Sequence, residues 1–164
     1  MPVKIFTDGS YRYPKSENKI ESKGGWAIDA PYYKHKESGS FCPGVSPLHS
    51  ELYAVEKALD FIIEKNPKRP YRIWTDCLTI VHVMNSESSY RDIYTALLCV
   101  HESYKTVCKP TVDKFVGIKK KIALKNLKVE FVHIRSHTDG ANHASKGNRR
   151  VDKEAKKASK SAAC

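Results

Sequence analysis

No apolar run in this 164-residue chain approaches the ~18 residues that cross a membrane, and no apolar leader opens it. Secretion and membrane insertion are therefore not expected, and an intracellular protein of the cytoplasm or nucleus is. Cysteine is sparse: Cys42, Cys77, Cys99, Cys108 and Cys164 are an odd, scattered five without a C-x-x-C pair. That fits a reducing compartment better than a disulfide framework. Structural zinc is poorly supported, because His133 and His137 sit near a strand end and not on a helix face. Neither an internal repeat nor a linker divides the chain, so residues 1–164 read as one domain.

Acidic residues are also short, 18 against 29 Lys plus Arg, leaving a net charge of +11. The excess is uneven. Through Asp76 there are 12 basic and 10 acidic residues, whereas from Cys77 onward there are 17 and 8. A basic half on a folded domain points to a polyanion such as nucleic acid, or simply to a solvated surface.

Val3 to Asp8 alternates apolar and polar residues and breaks at Gly9, which predicts a strand ending on an acid. Gly24 to Ala30 predicts a second strand and Ser40 to Cys42 a third, giving an antiparallel meander. Leu48, Leu52, Val55, Leu59 and Ile62 form one apolar helical stripe. Ser46 is its expected N-cap, Pro47 its first residue and Asn66-Pro67 its end. Tyr71 to Thr75 predicts a fourth strand leading into Asp76, and Leu78 to Met84 a short helix. Two helical stretches, Arg91 to Val107 and Thr111 to Leu124, are split by Pro110. Val129 to Ile134 predicts a fifth strand, Ser136 to Gly147 a loop, and Asn148 to Ala162 a last helix. The order implies an α/β fold, a mixed sheet flanked by helices.

Asp8 and Asp76 each end a strand, where sites gather in open α/β sheets. Glu51 falls in the first turn of the striped helix, and Asp152 lies beside Val151 on the last one. Each acid has a local explanation: a strand-to-turn signal at Asp8, a dipole-favoured acid at Glu51, an N-cap at Asp76, an i,i+4 pair of Asp152 with Lys156. Converging, the four would repel unless a cation neutralised them, and oxygen-only ligands suit Mg²⁺ or Mn²⁺.

Thr7-Asp8-Gly9-Ser10, Gly24-Gly25-Trp26-Ala27, Glu51 to Leu59 (E-L-x-A-x-x-x-A-L), Trp74-Thr75-Asp76, Val132 to His137 and Asn148 to Asp152 occur in one order. Together they resemble the ribonuclease H family, type 1 most closely, from Val3 to about Ala162. The resemblance implies a ribonuclease H-like fold, a five-stranded mixed sheet with its first three strands antiparallel. It implies cleavage of the RNA strand of RNA/DNA hybrids assisted by two Mg²⁺ ions, with Mn²⁺ as the alternative, held by Asp8, Glu51, Asp76 and Asp152. His137 would assist proton transfer or product departure, with His143 as the competing loop histidine. Gly9, Ser10, Ser46, Ser50 and Asn148 would meet the hybrid, and a monomer is expected. The amides this family carries before its glutamate are replaced by Ser46-Pro47-Leu48-His49-Ser50, and Cys77-Leu78 follow the second aspartate. Alternatives are a retroelement-type or junction-resolving nuclease of the same fold, a non-cleaving nucleic-acid-binding module, or a basic packaging protein. The ordered acids argue against the last two.

Overall fold

The structure, a computed structural model, describes residues 1–15, 22–87, 89, 91–95, 109–135 and 143–163. Its strands are β1 (Val3–Arg12), β2 (Lys23–Ala30), β3 (His35–Phe41), β4 (Tyr71–Thr75) and β5 (Val129–His133). They form one sheet in the order β3-β2-β1-β4-β5. β1–β2 and β2–β3 are antiparallel, and β1–β4 and β4–β5 are parallel. Helices α1 (Pro47–Lys65), α2 (Leu78–Asn85), α3 (Lys109–Leu124) and α4 (His143–Ser161) accompany it. This is the expected ribonuclease H-like mixed sheet.

Strand alternation sends successive side chains to opposite faces, and two cores result. Ile5, Ile28 and Ile73 join the α1 stripe and Val112, Phe115 and Ile118 of α3 in the larger one. Phe6, Ala27, Val151 and Ala155 make the smaller one beneath α4. The five stripe residues of α1 are all buried. The helix starts where a cap and a proline demand it. Ser46 Oγ accepts a hydrogen bond from His49 N at 3.0 Å and Pro47 opens the first turn.

Four boundaries differ from the sequence reading. β1 does not end on Asp8 but continues to Arg12, because β2 keeps pairing with it through Arg12↔Lys23. β3 begins at His35, well before Ser40; it is an edge strand with largely exposed residues, so no apolar alternation marks it. Pro110 lies inside the first turn of α3, where its missing N–H costs nothing, so that helix includes Lys109 and Pro110 and does not wait for Thr111. α4 begins at His143 and not at Asn148. Its first turns bury Ser145, Gly147 and Asn148, and a Cβ on Gly147 would stand 2.6 Å from the Phe6 ring. Residues 91–95 are helical, and the remainder of the Arg91-to-Val107 stretch lies outside the described residues. Cys77 is free and Cys42 is disulfide-bonded, a bond the scattered cysteines do not predict. Among the described residues no helix is long and apolar enough to cross a membrane.

Candidate active site

The parallel ladder between β1 and β4 runs from Val3↔Tyr71 to Phe6↔Trp74. Beyond it β1 pairs only with β2, leaving an opening at the carboxyl ends of the two strands. Asp8 and Asp76 lie just past that last pair, one on each side. Gly9 admits the third acid. A Cβ there would fall 2.2 Å from Ser50 C and 2.3 Å from Glu51 N, so only glycine lets the start of α1 lie on β1. One carboxylate oxygen each from Asp8, Glu51 and Asp76 then lies within 4.8 Å of the others. From the α4 side Asp152 acts on Asp8 through both charge and a hydrogen bond, while its Oδ2 accepts from Lys156 Nζ at 2.9 Å.

Two of the local explanations are revised and a third holds. The first turn of α1 contains no acid; Glu51 lies beyond it and faces Asp8. The N-cap position of α2 is Cys77, not Asp76, and Thr75 Oγ1 accepts the Cys77 N–H at 3.1 Å. The i,i+4 bond of Asp152 to Lys156 does form, yet Asp152 still reaches Asp8.

The acids pay heavily for their proximity. Burial, then the charge of Asp76, pushes Asp8 from 3.8 up to about 8, with Asp152 adding to the rise and a hydrogen bond from Glu51 opposing it. Burial, then the charge of Asp8, raises Glu51 well above the ordinary carboxylate range. Glu51 Oε2 is buried with no hydrogen-bond partner, although such groups are normally satisfied. Burial also pushes the Cys77 thiol up to about 11, so it stays protonated at neutral pH. Lys156, legible in the sequence only through its i,i+4 spacing, feels the charges of Asp152, Asp8 and Asp76 together.

The remaining candidates are placed as follows. Ser10 Oγ lies 3.1 Å from Ser159 Oγ, Ser46 caps α1, and the buried Ser50 donates its hydroxyl to Ser46 O at 3.3 Å. Asn148 is buried one turn before Asp152 on α4. His143 opens α4, exposed, with its ring 5.8 Å from that of Phe6. His137 lies outside the described residues. Of the basic run, Lys119 donates to Ser86 O and Lys121 to Asp60 Oδ1.

A profile of the RNase H family matches residues 1–160. Among solved structures, the prototype foamy virus protease-reverse transcriptase superposes with a TM-score of 0.71 at 16% identity, covering 98% of this chain and 21% of that one. This chain thus spans about a fifth of that viral protein. LC11-RNase H1, isolated from compost by a metagenomic approach, was crystallised with an RNA/DNA hybrid. It gives a TM-score of 0.61 at 19% identity, covering 96% of both chains. RNase H1 of the halophilic archaeon Halobacterium salinarum gives 0.56 at 14% identity, covering 99% of this chain and 100% of that one. No curated protein matches the chain. With one family profile spanning nearly its whole length, over the sheet and acid cluster just described, the chain belongs to the RNase H family.

Proposed function

We propose that this protein is an endonuclease that hydrolyses the RNA strand of RNA/DNA hybrids. Asp8, Glu51, Asp76 and Asp152 would hold two Mg²⁺ or Mn²⁺ ions. The observation that carries the reading is the Asp8–Glu51–Asp76 cluster, within 4.8 Å, with Glu51 Oε2 buried and unpartnered. Like charges held this close repel one another, and an all-oxygen donor set fits a hard divalent cation. When bound, such ions neutralise phosphoryl charge and lower the pKa of the attacking water.

The chain's own residues contribute rigidity and access. Asp8 and Asp76 are fixed by the strands that carry them, and Glu51 by the contact of α1 on Gly9. Gly9 and Asn148 remain the proposed substrate contacts nearest the acids. The hydroxyls of Ser10, Ser46 and Ser50, also proposed for substrate, are engaged with protein partners and would have to exchange them. The test is incubation with labelled hybrid, duplex RNA, duplex DNA and junction DNA, with Mg²⁺ and with EDTA. Mg²⁺-dependent cutting of the hybrid alone is expected. Cutting of junction DNA instead would favour a resolving nuclease, and no cutting a binding module.

For proton handling we expect His137→Ala to slow turnover by about 10²-fold, the low end of a positioned acid–base group. Hybrid binding should be unchanged. His143, packed against Phe6 at the start of α4, should matter less, and a larger loss for His143→Ala would reverse the assignment.

The Lys119 to Lys121 run is largely spent on intramolecular contacts. Each phosphate contact contributes roughly 0.7–0.9 to the slope of log affinity against log salt. Replacing all three by Gln is therefore expected to lower the slope by no more than the one contact Lys120 can make. A drop of about 2 or more would show that the run grips the nucleic acid.

A further inference from the structure

On the α4 face of the sheet, away from the acids, β2, β3 and α4 enclose a groove of about 450 Å³ that opens toward Lys34. Its floor follows from strand register. Asp29 pairs with Lys36 and Ala27 with Ser38, so these four residues share one face. Arg150 Nε donates to Asp29 Oδ2 at 2.7 Å, and the Asp29 side chain is 4% exposed. That buried carboxylate holds the guanidinium at the groove wall. Lys153 approaches from α4, and Lys157 lines the adjoining hollow beyond Ser38.

The charge here is unbalanced. Among the described residues no carboxylate pairs with Lys34, Lys36, Lys153 or Lys157. Glu37 also borders the groove, yet alternation places its side chain with Ile28 on the opposite face. There it lies 3.3 Å from His35, whose ring stacks on Phe61 of α1 at 4.5 Å. Asp29 is committed to Arg150, which leaves Glu154 as the one further acid at the wall. A merely solvated helix face would place lysines on α4 alone. Here the exposed edge of β3 answers them with Lys34 and Lys36 across a cavity, around an arginine fixed from below.

We propose that this groove binds the phosphodiester backbone of nucleic acid flanking the cleaved position, an inference that rests on the nuclease reading above. The geometry sets the reach. Across the sheet, Asp8 pairs with Ala27 and Ala27 with Ser38, two strand spacings or roughly 9.5 Å. Lys36 lies further along the strand direction by roughly 7 Å, and Lys34 just before the strand begins. The diagonal from Asp8 to Lys36 is then roughly 12 Å, about three or four nucleotides at ~3.4 Å each. The groove is a second point of attachment beyond the nucleotides that the acids touch.

The test measures binding in the full-length Asp76→Asn protein, so that cleavage does not intrude. Lys34→Asn/Lys36→Gln removes two charges while Asn tolerates the left-handed backbone of Lys34, whose φ is 51°. On a hybrid of about 20 base pairs the slope of log affinity against log salt should fall by about 1.4–1.8. On a cross-linked hybrid of about 3 base pairs, too short to reach from the acids to the groove, the slope should not change. Lys34→Arg/Lys36→Arg should restore the wild-type slope, which separates charge from folding. An unchanged slope on the long hybrid overturns the proposal, as does an equal fall on both lengths or failure of the arginine rescue. If inorganic phosphate protects the lysines from acetylation while the hybrid does not, the groove is a small-anion site and the proposal fails. The cleavage assay on wild type reports on the acids and not on this groove, so either reading can fail without the other.

Discussion

Asp76→Asn should reduce cleavage of an RNA/DNA hybrid by at least about 10³-fold, the upper range for losing one preorganised electrostatic group in an active site. The side chain stands just past the last β1–β4 pair, opposite Asp8, and supplies one of the three clustered carboxylate oxygens. Asparagine keeps the shape and loses the charge, so circular dichroism should be unchanged and the metal-free melting temperature equal or higher. Binding of the hybrid should persist, since removing a carboxylate lowers repulsion of the phosphates. Asp60→Asn is the control. It removes an exposed carboxylate of α1 that bonds Lys121 and lies in no acid cluster among the described residues, and it should cleave at the wild-type rate. Near-wild-type cleavage by Asp76→Asn would remove the metal-assisted mechanism proposed here.

The acids were legible because each follows a pattern physics makes conspicuous. Two come at the ends of apolar alternation and one beside a regular helical stripe. Their convergence was not legible from spacing, since it depends on Gly9 giving up its Cβ to the backbone of α1. The sequence reading assigned that glycine to the approach of nucleic acid; the structure supplies a nearer reason. β3 went largely unseen because an exposed edge strand has no buried face to enforce alternation. The start of α4 was hidden for the opposite reason. It buries Ser145, Gly147 and Asn148, with Gly147 against Phe6, and small or polar residues buried by close approach do not register as an apolar stripe. The lysine run illustrates a third limit: charge alone does not reveal that Lys119 and Lys121 bind a carbonyl and a carboxylate of their own chain.

Without metal, Asp8→Asn is expected to stabilise the protein, and the gain should depend on pH. Asp8 titrates at about 8 in the folded chain, against 3.8 for an unperturbed aspartate. Between those values the native state holds a proton that the unfolded chain has released. Unfolding stability therefore falls as pH rises through that window. Below pH 4 both states are protonated and the carboxyl costs nothing; above about 8 the full penalty is present. Asparagine never ionises, so its advantage should be small near pH 4, grow through neutrality and level off above pH 8. A shift of this size corresponds to several kcal/mol at most, because Glu51 and Asp76 relax together with Asp8. At roughly 2–4 °C per kcal/mol for a chain of this length, the melting temperature should rise by about 5–10 °C at pH 8. Mg²⁺ adds a second axis, since a ligand that binds only the folded state stabilises it by mass action. It should raise the melting temperature of the wild type more than that of Asp8→Asn, and so narrow the gap. Melting curves of both proteins at pH 4.5, 6 and 8, with EDTA and with Mg²⁺, measure the two dependences together. A gap that stays constant with pH would mean that Asp8 is not held protonated by burial and its neighbours. A gap that Mg²⁺ leaves unchanged at pH 8 would mean that these carboxylates do not hold the ion.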